Sequence, residues 1–248
     1  MLIDPCFSGL SPQHPLEKEA WFTWANQLVQ QGVTHALVAP CCPLDPTFPS
    51  AMDDLVLEYQ TLLDRRGIPL CLFASQLVDV EASPHQHYTT DQLLFADLNQ
   101  RYVLAAIHPT TPFEALYPLL FEWLKDDIRP VLVGMETSEV MSANDQEHLF
   151  SQGCYFLVSS QSVMGLNGNR AKQAAWRALG QGQVQLIGST ATEPDGTHFT
   201  EALSAIRKRF GTSYGDDLLL NAKALVNGDP LITQFQLPKT RWRWPFSR

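Results

Sequence analysis

The chain has 248 residues, with 17 Lys and Arg against 26 Asp and Glu, a formal charge of −9 and a pI near 5.2. That balance offers no basic face to displace counterions from phosphates, so a nucleic-acid partner is not expected. With 45% hydrophobic and 10% aromatic residues, the composition is that of a folded globular protein whose length suits one α/β barrel or two smaller domains.

The opening MLIDPCFSGL has no basic region leading into a long apolar run, so it reads as a strand over 1–4 and not as a signal peptide. Ala20, Trp21, Trp24, Leu28 and Val29 recur at helical spacing, which predicts a helix over 16–31 ended by Gly32. A strand over 34–39 stops at the Pro40–Pro43 cluster. Ser50 is expected to cap a helix through Arg66, closed by Gly67. Strands over 70–74 and 102–107 follow, separated by a polar stretch containing Pro84, His85 and His87. Thr111 is expected to cap a helix over 112–125, followed by a strand over 130–133 and a helix over 143–152. Strands over 155–159 and 184–188 flank a helix over 170–179, and helices over 198–210 and 213–226 complete the pattern.

These are about seven β/α units, without an internal repeat or a linker-like break before residue 229. The reading is one domain over 1–237 and a short tail over 238–248. That number of units favours a parallel barrel over an open sheet. The five cysteines are scattered and lack CxxC spacing, and no apolar run approaches the roughly 20 residues needed to span a bilayer. Together these point to the cytoplasm.

Several segments fall in the order and nearly the spacing of one known family. They are Ile3-Asp4, Gly32-Val33, Arg101-Tyr102-Val103-Leu104, Arg129-Pro130-Val131, Gly153-Cys154-Tyr155, the 160–168 segment, Phe210-Gly211-Thr212-Ser213 and Leu220-Asn221-Ala222 with Gly228. In these the chain resembles the manganese-dependent bacterial tyrosine phosphatases of capsule biosynthesis, members of the polymerase-and-histidinol-phosphatase (PHP) superfamily. The resemblance implies an α/β fold, a distorted (β/α)7 TIM-like barrel of the PHP type, with a metal cluster at the C-terminal ends of its strands. It also implies hydrolysis of phosphotyrosine on the tyrosine-rich tail of a kinase that regulates polysaccharide export, with metals activating water and stabilising phosphoryl charge.

The implied ligand set is nearly gone. Where the family has Asp-x-His-x-His, this chain keeps Asp4 but has Cys6 and Ser8. Its Thr-Pro-His becomes Ala39-Pro40-Cys41, and its glutamates fall at Gln76 and Ala106. The His, Glu and Arg that follow the next strand correspond to Gly134, Glu136 and Thr137, and the closing Asp-x-His to Thr190-Ala191-Thr192. Every histidine ligand is replaced. The expectation is therefore no bound metal, no manganese cofactor and no catalytic residue. The degenerate site, Asp4, Cys6, Ser8, Cys41, Gln76, Ala106, Gly134, Glu136, Thr190 and Thr192, would remain as a binding surface.

The resulting reading is a catalytically inactive homologue that binds or regulates in a capsule or exopolysaccharide system, with a tyrosine-rich or phosphotyrosine-bearing kinase tail as partner. Two alternatives stay open: an altered metal hydrolase using Asp4, Cys6, Cys41 and Glu136, and a structural subunit whose barrel mouth is filled by side chains. Zinc at Cys6, Cys41 and Cys42 is disfavoured because no further His or Cys is expected beside them. A cysteine-phosphatase route is closed, since no cysteine has an arginine six residues on. The His85-Gln86-His87 triplet reads as a solvated loop, and Asp126-Asp127 as a solvated pair at a helix end. The Gly165–Asn169 stretch offers amides for an anion at a helix start. In the tail, Arg241, Trp242, Arg243 and Trp244 suit a partner or the inner membrane face, or folding back on the acidic body.

Overall fold

The protein was analysed as a computed structural model, which describes residues 1–13, 17–83, 88–194 and 198–237. Its strands are β1 (Ile3–Phe7), β2 (His35–Val38), β3 (Cys41–Cys42), β4 (Cys71–Ala74), β5 (Leu77–Asp79), β6 (Tyr102–Ala106), β7 (Arg129–Val133), β8 (Tyr155–Ser159) and β9 (Leu186–Gly188). All pair in parallel, in the orders β1-β2-β4 and β3-β5-β6-β7-β8-β9.

The two sheets are joined by two bent strands. β2 runs through Ala39 and Pro40 into β3, where the proline has no N–H to give a ladder, and β4 runs through Ser75 and Gln76 into β5. Across these bends Ser75 N–H donates to Val38 O (2.9 Å) and Leu77 N–H to Pro40 O (3.1 Å). At the opposite edge the chain leaving β9 returns to β1, with Thr190 N–H donating to Cys6 O (2.8 Å) and Ser8 N–H to Ala191 O (3.1 Å). The strands thus follow one ring, in keeping with the parallel barrel the sequence pattern favours and the distorted (β/α)7 form the resemblance implies.

Alternation along the strands separates two layers. On β6, Tyr102, Leu104 and Ala106 join the interior cluster with Leu37, Val131, Leu157 and Leu186, while Val103 and Ala105 pack under the surrounding helices. Those helices are α1 (Lys18–Gln30), α2 (Phe48–Arg66), α3 (Phe113–Lys125), α4 (Ala143–Ser151), α5 (Ser160–Met164), α6 (Gly168–Gly180), α7 (Phe199–Phe210) and α8 (Thr212–Asn227). Helix α1 buries Trp21, Trp24 and Leu28, and Trp24 meets Phe7 of β1 edge-to-face at 4.7 Å. Truncating such a tryptophan costs about 3–5 kcal/mol, so β1 is anchored from outside as well as from its ladder.

Two capping expectations are corrected. The cap of helix α2 is Thr47, three residues before the expected Ser50, because Pro49 suits the first turn and the Asp45 carboxylate already holds the Thr47 N–H (2.8 Å). Ser50 lies inside that helix. Thr111 does not cap α3, which follows Pro112; its hydroxyl instead accepts the His108 N–H at 3.0 Å. Helix α5 and the short strands β3 and β5 have no counterpart in the sequence reading.

Candidate functional site at the barrel mouth

The C-terminal ends of the strands carry both the positions implied by the resemblance and others it does not include. On the side formed by β1, β8 and β9, the polar groups are turned onto one another. Asp4 is fully buried. Its Oδ1 accepts the Ser189 N–H (2.9 Å) and the Cys6 N–H (3.2 Å), while its Oδ2 is buried without a hydrogen-bond partner. Burial pushes the Asp4 carboxyl up to about 6, against the lowering effect of the hydrogen bonds from Ser189 and Cys6. Burial likewise pushes the Cys6 thiol up, with the Asp4 charge adding to it.

Ser8 donates its hydroxyl to Ala39 O (2.9 Å). Thr190 shares a hydrogen bond of 2.7 Å with Ser159 Oγ, and Thr192 is exposed. Glu136, in a single turn over Met135–Thr137, is buried and accepts the Ser159 N–H at 2.9 Å. Burial raises its pKa, opposed by hydrogen bonds from Ser159, its own amide and Ser162. Gly134 leaves no room for a side chain: its φ is +97°, and a Cβ there would lie 2.5 Å from Ile107 O.

Gln76 is also committed to the fold. Its amide nitrogen donates to Cys42 Sγ (3.4 Å) and Pro43 O (3.3 Å), and its oxygen accepts the Leu94 N–H (3.2 Å). A carboxylate could not donate these two bonds. Ala106 is buried in the interior cluster.

On the side formed by β3, β5 and β6, different residues meet. Cys41 Sγ, an Asp79 carboxylate oxygen and a His108 ring nitrogen all lie within 4.8 Å of one another. Asp79 Oδ1 is 3.2 Å from His108 Nε2. Sequence reasoning expected no His near Cys41, and this is corrected. The parallel register places Cys41 opposite Leu77 and Asp79 opposite Ala106, and His108 follows β6 by two residues. The available signal was that His108 closes a strand-like run at a barrel mouth, as Cys41 does.

Other sequence candidates fall elsewhere. Gly165 ends α5 and Gly168 begins α6, so the segment between them is a helix-to-helix turn, held by Asn167 Nδ2 donating to Ser162 Oγ (2.9 Å). The Asp126-Asp127 pair is partnered, by Tyr88 and by Arg129 (2.6 Å) respectively. A cavity of about 540 Å³ lies on the barrel flank, lined by Phe73, Leu94, Phe95, Gln100, Val226 and Asn227, and takes in none of the mouth residues named above. His85 and His87, and Arg241, Trp242, Arg243 and Trp244, lie outside the described residues. Among the described residues no helix is long and apolar enough to cross a membrane.

The sequence profile of the CpsB/CapC family, described as capsular polysaccharide synthesis, matches residues 43–227. The chain belongs to the CpsB/CapC family. Its fold superposes with TM-score 0.79 on a chain from the crystal structures of YwqE from Bacillus subtilis and CpsB from Streptococcus pneumoniae, described as unique metal-dependent tyrosine phosphatases. That match has 19% identity and covers 97% of this chain and 100% of the other. A TatD family hydrolase from Entamoeba histolytica superposes with TM-score 0.57 at 9% identity, covering 91% and 97%. A search of curated proteins gives no significant match.

This CpsB/CapC member does not fit a manganese cluster at the positions the resemblance implies. Manganese needs several oxygen or imidazole donors converging on one point. Asp4 has one unpartnered oxygen, and its neighbours Cys6, Ser8 and Thr190 supply a thiol and hydroxyls. Among the described residues the grouping of three ligand-type side chains is Cys41, Asp79 and His108.

Proposed function

We propose that the protein is a non-hydrolysing CpsB/CapC member, acting as a binding or regulatory component of capsular polysaccharide synthesis. The partner that fits this role is a tyrosine-rich or phosphotyrosine-bearing kinase tail, received at the barrel mouth. The observation that carries the reading is the closure of the β1, β8 and β9 ends. Asp4 is committed to two backbone amides, Glu136 to a third, and Thr190 to Ser159. A phosphatase of this fold needs those positions turned toward an ion and a water. Here they are turned toward the chain itself, and burial pushes the Asp4 carboxyl up to about 6.

The test pairs hydrolysis with binding. Purified protein is assayed on a phosphotyrosine peptide with manganese, zinc, cobalt and magnesium, and titrated calorimetrically with tyrosine-rich peptides with and without phosphate. No turnover together with saturable binding is the expected result. Turnover that disappears in Asp4→Ala overturns it. A second reading, an altered metal hydrolase, is favoured by the convergence of Cys41, Asp79 and His108. It predicts turnover that survives Asp4→Asn and is lost in His108→Ala.

A further inference from the structure

We propose that Cys41, Asp79 and His108 form a site for a zinc-class divalent cation, with one coordination position open to solvent. The proposal stands whether or not the chain hydrolyses anything, and it uses two residues outside the ligand positions implied by the family resemblance.

The donor set selects the class of ion. A thiolate with an imidazole and a carboxylate suits borderline-soft zinc or cobalt, whereas magnesium, calcium and manganese prefer all-oxygen or oxygen-rich shells. Three protein ligands with a free fourth position make the open form of a zinc site. The ligand atoms lie within 4.8 Å of one another, so small rotations of side chains bring them to one ion. Cys41 is exposed, and Asp79 and His108 are partly so, which leaves a path for the ion and room for water.

The framework is rigid where it matters. Cys41 and Asp79 sit on strands, and the Asp79 carboxylate is oriented by the Ala82 N–H on its Oδ1 (3.1 Å). The Ser83 hydroxyl donates to Asp79 O (2.5 Å). The His108 loop is held by a reciprocal pair: His108 N–H donates to Thr111 Oγ1 (3.0 Å), and Thr111 N–H to His108 O (3.1 Å). Such supporting contacts orient ligands. The 3.2 Å contact between His108 Nε2 and Asp79 Oδ1 needs a proton between two acceptors, and a dication takes that place. On binding, Cys41 Sγ gives up its proton to solvent and bonds the metal as a thiolate, while the His108 Nε2 lone pair supplies a second bond.

The probe is cobalt(II), followed by zinc competition, on the full chain stripped of metal with a chelator. Cobalt is expected to bind one per chain, with a near-ultraviolet thiolate charge-transfer band that zinc abolishes. Cys41→Ser should remove that band. His108→Ala should weaken zinc binding by about a hundredfold or more, since losing only an orienting partner costs ~10–100-fold. Cys71→Ser, at the start of β4 and so at the opposite end of the strands from the cluster, should leave both unchanged. Circular dichroism identifies any variant that fails to fold; for such a variant the zinc-protection pattern of Cys41 against alkylation in the unaltered protein replaces it. The proposal is overturned by absence of the charge-transfer band, by a band that persists in Cys41→Ser, by unweakened zinc binding in His108→Ala, or by unprotected Cys41 under saturating zinc.

Discussion

The two sides of one barrel mouth have been put to opposite uses. Around β1, β8 and β9, Asp4 and Glu136 are buried and accept backbone amides, and Thr190 bonds Ser159. Around β3, β5 and β6, Cys41, Asp79 and His108 face one another and reach solvent. Both sides present strand ends of the same ring, so the difference lies in the side chains and not in the backbone. Polar groups buried at a mouth stabilise the fold when their partners come from the chain, and remain free to bind a ligand when those partners are absent.

The sharpest way to break this contrast is chemical. Alkylation of native, metal-free protein should label Cys41 first, though more slowly than a free thiol because burial and the Asp79 charge push its thiol up to about 12, while Cys6 and Cys154, both buried, wait for unfolding. Mass spectrometry of the labelled peptides should show protection on the order of a thousandfold, because the folded state must first open. Equal labelling of Cys6 and Cys41 would dissolve the distinction.

The next effect is pH-dependent. Asp4 in the folded protein titrates at about 6 against 3.8 for the free group. The folded state therefore binds this proton more tightly than the unfolded chain does. The stability it contributes is present below 3.8 and is lost as pH rises through about 6. Urea unfolding of the native chain and of Asp4→Asn across that window should show the native chain losing about 3 kcal/mol more than the variant. Parallel pH curves would mean Asp4 is solvated or neutralised by a cation.

A smaller effect separates the two sides by truncation. Glu136→Ala strands the buried Ser159 N–H and should cost about 1–3 kcal/mol. Asp79→Ala, on the open side, should cost within about 1 kcal/mol, as its partner His108 is half-exposed. Reversal of that order would place the structural role on the wrong side. Smallest is Thr190→Val, which removes the bond to Ser159 and should lower stability by about 0.5–1.5 kcal/mol, read from denaturant midpoints.

Much of the fold was legible along the chain. Trp21, Trp24 and Leu28 recur at helical spacing and do face the barrel, and the longer strands fall within two residues of their expected runs, except β1, which ends three residues beyond the expected Asp4. The bends were not legible. β3 and β5 are two and three residues long, too short to show a period. Missing β5 meant missing Asp79 at its end. The caps failed for a local reason: Ser50 and Thr111 have the right chemistry, but Pro49 and Pro112 set where the helices begin.

By itself the sequence determined the parallel barrel, because hydrophobic period is a local property. Only the tertiary structure decided what the remaining polar groups do. Asp4 finds Ser189 across 185 positions of sequence separation, and strand register sets Asp79 opposite Ala106 beside Cys41 and His108. Ring closure and register bring these residues together, and no short window of sequence encodes either one.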